Sequence, residues 1–260
     1  METLFVGQHI ISKDTVDSTN NVASALLLQS HLPEGTVILA KEQSAGKGQQ
    51  GATWESEKGK NLLASFILYP AFVKPRNIFD INITVSLAMY DFAKMLLKKN
   101  VTVKWPNDLY YENKKIAGLL IENSIRNTEI NYSIIGMGIN LNQVTFSSNI
   151  PDATSLKTIL KKELDLQQVF NVLCQCLEAR YLQLKANKTG MQRNEYLKSL
   201  YRFNTPAKFT AKGMTIEGKI VDVSEDGKLV LENADGKLKA FGFKEIIFTT
   251  ETQRPREKGK

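Results

Sequence analysis

The segment "VKWPNDLYYENKKIAGLLIEN", residues 103–123, joins two apolar runs through a break that its own residues dictate. Proline has no backbone N–H to give a ladder, so the strand entering at Val103 ends at Trp105-Pro106. Asn107 and Asp108 then fall in a turn at its end. The next strand opens near Lys115 and carries Gly118 three residues on. A lone glycine in an apolar strand marks close approach by another backbone or a ligand. By itself the segment is also an ordinary Asn-Asp turn beside a solvated lysine, and only its neighbours separate the two readings.

Outward from this segment, residues 1–150 read as α+β. "HIISKD", "GTVILAKEQ", "NLLASFILY", "VTVKW", "KKIAGLLIEN" and "EINYSIIGMGINLN" have the character of strands. "DSTNNVASALLLQS" sets polar caps before a helical run. In "NIFDINITVSLAMYDFAKMLLKK", Ile81, Val85, Ala88, Met89, Phe92, Met95 and Leu96 recur at threes and fours, which predicts a helix. A helical stretch follows over about 155–201, with Leu166, Val169, Phe170, Leu173, Leu177, Tyr181 and Leu184 as one core-facing stripe. After Pro206 the pattern alternates with period two and is punctuated by Asp226-Gly227 and Asp235-Gly236, both hairpin-turn pairs. The expectation is a large domain over 1–203, a small β-barrel over 204–250, and a frayed tail over 251–260 that includes "RPREKGK".

Composition narrows the function classes. The 260 residues are 42% hydrophobic and 23% charged, with no run approaching a membrane span and no signal-peptide pattern at the start, so a cytoplasmic location is expected. Cys174 and Cys176 lie two apart in a helical pattern, which suits neither a disulfide nor a zinc site. His9 and His31 have no carboxylate or cysteine pattern around them, so no nucleophilic triad can be assembled. The net charge of +7 suits an anionic partner.

Three further stretches carry chemistry. "SAGKGQQGATW", residues 44–54, spells G-x-G-x-x-G, yet it lies between two strands, opens no helix, and has no acid about 20 residues on. It is therefore neither a dinucleotide fingerprint nor a phosphate-binding P-loop. Its glycines still allow backbone N–H groups near an anion, and Lys47 adds charge; the alternative is a flexible surface loop. "GMGINLN", residues 136–142, ends an apolar strand with two glycines and Asn140, either a cavity floor or a β-bulge. "DSTN", residues 17–20, offers more capping groups than one helix needs, leaving the hydroxyls of Ser18 and Thr19 for a ligand or for capping alone.

"DSTN", "KEQSAGKGQQGATW", "KWPND" with "KIAGLLIE", "GMGINLN" and a small C-terminal β-unit, in this order, resemble the biotin protein ligases over roughly residues 8–250. The "KWPND…KIAGLLIE" pair is the most family-specific part. The resemblance implies the mixed sheet with helices common to these ligases and the class II aminoacyl-tRNA synthetases, plus an SH3-like barrel. It also implies ATP-dependent activation of biotin to biotinyl-5′-AMP, with magnesium, and transfer of the biotinyl group to one lysine of a biotin carboxyl carrier protein. Joining two anions calls for fixed positive charge. By this resemblance Lys115 contacts the biotin carboxylate and α-phosphate, and Asp108 is the base or orienter for the acceptor lysine. Ser18, Thr19 and Gln43 meet the ureido ring, Gly46 and Lys47 the biotin side, and Gly118 and Gly138 shape the pocket wall. Lys47, Gln49, Trp54, Asn107 and Asn140 are implied on the adenylate side, Asn107 and Asp108 also as candidates to hold magnesium.

The chain departs from the family pattern in the glycine loop. The commonest members carry arginines where Lys47 and Gln49 stand, so looser retention of the adenylate, or another compensating cation, is implied. Rival readings are a lipoate or octanoate enzyme of the same fold, a DNA-binding repressor, and a binding module without activity. The repressor is disfavoured because the ligase pattern begins at His9, and the binding module because Lys115 and Asp108 are both present. A homodimer through an exposed sheet edge is a further expectation.

Overall fold

The computed structural model describes residues 2–249, and the expected tail over 251–260 lies outside them. The chain divides into two compact units between Tyr201 and Arg202, two residues ahead of the expected end of the first domain.

The first unit is built on β1 (Ile10–Val16), β2 (Val37–Gln43), β3 (Leu62–Leu68), β4 (Val101–Lys104), β5 (Asp108–Tyr111), β6 (Lys114–Arg126) and β7 (Glu129–Ile139). They form one sheet in the order β1-β2-β3-β7-β6-β5-β4. β1 and β2 run parallel and the other pairs antiparallel. The short β5 was not among the expected strands. The turn after the cis Trp105-Pro106 bond closes sooner than expected, so Asp108 already pairs, opposite both Lys104 and Gly118.

Successive strand residues face opposite sides of a sheet, and directly paired residues share a side. Ile67 on β3 packs with Ala23 of helix α1 (Thr19–Gln29), whereas its neighbour Phe66 stacks on Phe170 of helix α4 (Leu166–Lys185), ring centres 6.4 Å apart. The two helices therefore lie on opposite faces. α4 packs with α2 (Phe79–Leu97) and α5 (Thr189–Ser199), so the expected helical stretch over 155–201 is three helices, beginning with the short α3 (Leu156–Leu160). Lys161, left-handed at φ 56°, ends α3, and Asp165 caps α4 by accepting from the Gln168 N–H. Of the expected α2 stripe, Met95 is exposed, because the last turn leaves the core and Leu97 takes the inward position.

The start of the chain is pinned to this helical layer. The buried Glu178 carboxylate on α4 accepts the backbone N–H groups of Leu4, Phe5 and Val6 at 2.7, 2.8 and 3.0 Å. Replacing Glu178 by alanine strands those donors, a cost of about 2–3 kcal/mol. Thermal unfolding should fall by about 5–10 °C, with activity at 25 °C retained; an unchanged midpoint would show that water replaces the carboxylate without loss.

Cys174 and Cys176 are free buried thiols, and burial pushes them up to about 12 and about 11 respectively. His9 bonds Thr36 and His31 stacks on Tyr69, so each histidine has a local partner.

The second unit comprises β8 (Ala207–Ala211), β9 (Met214–Val223), β10 (Leu229–Glu232), β11 (Leu238–Phe241) and β12 (Ile246–Phe248). The hairpin turns at Gly227 and Gly236 have positive φ, as the Asp-Gly pairs required. The strands of this unit form one antiparallel sheet in the order β11-β10-β9-β8-β12, and among the described residues no ladder closes it into the expected small barrel. Among the described residues β11 pairs only with β10 and β12 only with β8; strands of four and three residues leave little length for a closing ladder.

Candidate functional site

A row of glycines creates the site. Gly118 on β6 lies directly opposite Gly138 on β7, and Gly136 opposite Leu120 and Ser65. Gly138 also pairs with Leu63 and Gly118 with Asp108, so Asp108, Gly118, Gly136 and Gly138 share the face that α1 covers. The register is unbroken through Gly136–Gly138, so this is no bulge. The first turn of α1 lies over Gly136, where a Cβ would meet Asn20 Oδ1 at 2.5 Å. Beyond that point the missing side chains leave a trough.

Trp54 lies in the trough. A Cβ at Gly138 would fall 2.3 Å from its Cε2, and one at Gly118 would fall 3.0 Å from its Cζ3. Lys115 completes the wall. Its Nζ stands 2.7 Å from Asp108 Oδ1 and 5.5 Å from the centre of a Trp54 ring, with both members of the ion pair partly exposed. The backbone of Lys115 is held by the 149–154 loop, donating to Asp152 O and accepting from Thr154 N.

Two cavities flank this centre. One of about 420 Å³ lies under the glycine loop and is lined by Gly46, Lys47, Thr53, Leu120 and Glu122. The other, about 240 Å³, is lined by Trp54, Tyr110, Lys115, Asn140, Ile150 and Asp152. Two polar atoms of residues lining the second are buried without partners, Trp54 Nε1 and Asn140 Oδ1. The amide orientation of Asn140 is set by its Nδ2 donating to Thr154 O at 3.0 Å. Its free oxygen is thus an acceptor and demands an N–H or O–H from whatever enters. Burial, and secondarily the Asp108 charge, push the Tyr110 hydroxyl up, so it stays protonated.

The start of α1 is knitted to the end of β2. Thr19 N–H and hydroxyl both donate to Gln43 Oε1, at 2.7 and 3.0 Å. Ser65 joins the hydroxyl of Thr19 to Asn20 Oδ1, and Asn20 Nδ2 donates to Glu122. Ser18 sits at the N-cap position without capping the helix through its side chain. Asn107 is buried, donating from Nδ2 to Leu119 O, which ties the turn to β6. Lys47 reaches Asn21 on α1, and Gln49 opens a single 3₁₀ turn at the loop tip.

The structure thus brings Trp54, Lys115, Asp108, Gly118 and Gly138 into one place, with Asn140 lining the adjoining cavity. It holds Asn107 in a structural bond and turns Lys47 toward α1. Sequence reasoning missed Ser65, Glu122, Tyr110 and the 149–154 loop. Only Tyr110 carried a signal, its i+2 spacing from Asp108. Among the described residues no three His, Cys, Asp or Glu gather to hold a metal, and no helix is long and apolar enough to cross a membrane.

Comparison with known proteins follows the same division. The model of the biotin/lipoate A/B protein ligase family matches residues 13–140, and that of the biotin protein ligase C terminal domain matches residues 206–249. The chain is 29% identical to the bifunctional ligase/repressor BirA of Bacillus spizizenii, over 93% of this chain and 74% of that protein. It is 26% identical to the biotin–[acetyl-CoA-carboxylase] ligase of Paracoccus denitrificans, over 85% of this chain and 93% of that one. Among solved structures it is similar to the biotin protein ligase from Aquifex aeolicus in complex with biotin and ATP, with TM-score 0.76 and 26% identity, covering 92% of this chain and 97% of that one. With both the ligase segment and the C-terminal segment matched in order, the chain belongs to the biotin protein ligase branch of the biotin/lipoate protein ligase family.

Proposed function

We propose that the chain activates biotin with ATP and passes the biotinyl group to a lysine of a biotin carboxyl carrier protein. The observation that carries this reading is the Lys115–Asp108 pair standing over a trough that Gly118 and Gly138 open, beside a cavity lined by Asn140 with its unpartnered Oδ1. In the first step a biotin carboxylate oxygen attacks the α-phosphorus of ATP, and the bond to pyrophosphate breaks. Lys115 Nζ lies where it offsets the charge of both anions, in a partly desolvated setting that strengthens the effect. Magnesium enters with ATP as part of that substrate, held mainly by phosphate oxygens and water.

Biotin takes the trough and the cavity beneath the glycine loop, with the Ser18, Thr19 and Gln43 cluster at its ureido end. Trp54 leaves the glycine pair as biotin enters and packs on the adenine side. Asn140 Oδ1 receives an adenine amino or ribose hydroxyl hydrogen; a phosphate oxygen, itself an acceptor, does not suit it. In the second step the acceptor lysine gives one ammonium proton to Asp108 or solvent and attacks the acyl carbon as the neutral amine. The bond to AMP breaks, AMP departs with its electron pair, and the second N–H proton passes to solvent. Asp108, with one oxygen on Lys115, presents the other to the incoming lysine, as the base that takes its proton or as the acceptor that orients its N–H.

The carrier protein is the partner implied, with the +7 charge suited to an acidic surface rather than to specific DNA, in a cytoplasmic setting. Edge pairing into a homodimer is left to β1, because Leu200 bridges Val103 and Tyr201 donates to its carbonyl at the β4 edge.

The test is pyrophosphate exchange into ATP with biotin, lipoate or octanoate supplied separately. Exchange with biotin alone supports the proposal, and exchange with either other acid overturns the substrate. Gln49→Arg restores the charge this loop lacks, and dissociation of pre-formed biotinyl-AMP should slow about fivefold; an unaltered rate would remove Gln49 from retention.

A further inference from the structure

The glycine loop is a miniature hairpin. Lys47 pairs with Thr53, Gly48 N donates to Ala52 O at 2.7 Å, and Trp54 N donates to Gly46 O at 2.9 Å. The hairpin therefore carries Trp54, the residue that fills the trough. Its root is stitched to the strand before α1, with Ser44 N on Val16 O and Ala45 N on Asp17 O. At its far side Lys47 Nζ donates to Asn21 Oδ1, Asn21 Nδ2 donates to Asp17 Oδ2, and Asp17 Oδ1 accepts the Ser18 N–H at 2.7 Å. Three side chains from two elements thus form one chain in which every link has a proton to give.

We propose that Asp17, Asn21 and Lys47 form a latch that holds the glycine hairpin down on α1, with Asn21 and Asp17 as positioning residues for retention of the adenylate. This rests on the ligase reading above and adds residues outside its expected binding set. The arrangement gives Lys47 a task other than contact with phosphate. Its charge is directed onto an amide whose own N–H is anchored by a carboxylate. The latch supplies by position what a ligand-facing arginine would supply by contact, and it offsets the missing charge at Gln49. Because the hairpin bears Trp54, opening the latch loosens the loop and the trough occupant together.

A double-mutant cycle on Asn21→Ala and Lys47→Met tests this, with the dissociation rate of pre-formed biotinyl-AMP as the readout. Each single variant is expected to speed dissociation about two- to fivefold, the scale of an exposed charged contact, and the double variant no further than the faster single one. Multiplying effects, or an effect of Lys47→Met with Asn21→Ala silent, would mean that Lys47 contacts the ligand directly and would overturn the latch. Amide hydrogen exchange of the free protein supplies a readout independent of catalysis. The Gly48 and Trp54 amides should exchange faster in both variants, and unchanged protection there would also overturn it. If wild type forms no adenylate at all, the ligase reading fails, while the exchange data still decide whether the latch exists.

Discussion

Lys115→Ala is expected to lower the biotin-dependent exchange rate at saturating substrate by about 10²- to 10³-fold, the cost of removing one preorganised electrostatic donor from a transition state. The loss belongs in kcat, because the cation matters most when the carboxylate and the α-phosphate are forced together. Lys115→Arg should rescue little. Cε and Nζ of Lys115 both stand 3.2 Å from where a Cβ of Gly118 would be, with the Trp54 ring close by, and a planar guanidinium has no comparable room. The thermal midpoint should hold, since the Lys115–Asp108 pair is partly exposed and pairs of that kind add little stability. A variant that kept its exchange rate would remove Lys115 from the chemistry and leave it as the partner of Asp108 alone.

Gly138→Ala should instead weaken biotin binding, raising its KM about 10- to 100-fold while kcat at saturation changes little. The new methyl would lie 2.3–2.8 Å from three Trp54 ring atoms, so either the indole or the occupant of the trough must yield. Overpacking of this sort costs about 1–3 kcal/mol. The companion variant Trp54→Ala separates the two consequences. In the double variant the clash with the indole is gone and thermal stability should recover, whereas biotin affinity should not, because the methyl still occupies the floor. Recovery of both would mean that the glycine is needed only to seat Trp54, and biotin would then have to bind elsewhere. The two variants fail in different kinetic parameters, which guards against reading simple misfolding as a functional effect.

Much of the candidate site was legible because its residues sit in short motifs whose local rules are strong. Proline broke β4 after Lys104, and apolar runs traced β3, β6 and β7. Other features were misjudged where two local signals competed. Asp108 read as part of a turn because Asn-Asp follows proline, yet its ladder partners Lys104 and Gly118 draw it into β5. Met95 fitted the apolar period of α2, but the helix outruns the core it packs on. In the second unit the alternation led to the antiparallel sheet, and alternation alone does not say whether the last edges meet.

By itself the sequence determined most of the elements, though not β5, and the change of pattern after Pro206, and it set out candidate groups for the chemistry, because backbone propensity, side-chain period and turn residues act over a few positions. Only the tertiary structure decided which of those groups meet. Cross-strand register placed Gly118 against Gly138 and both on the face of α1, and that placed Trp54 in the space they leave. The same long-range pairing set Lys115 on Asp108, buried the Asn107 amide against β6, and turned Lys47 toward Asn21. Strand register is fixed by contacts between residues far apart in the chain, and a shift of one position would send Asp108, Gly118 and Gly138 to the opposite face.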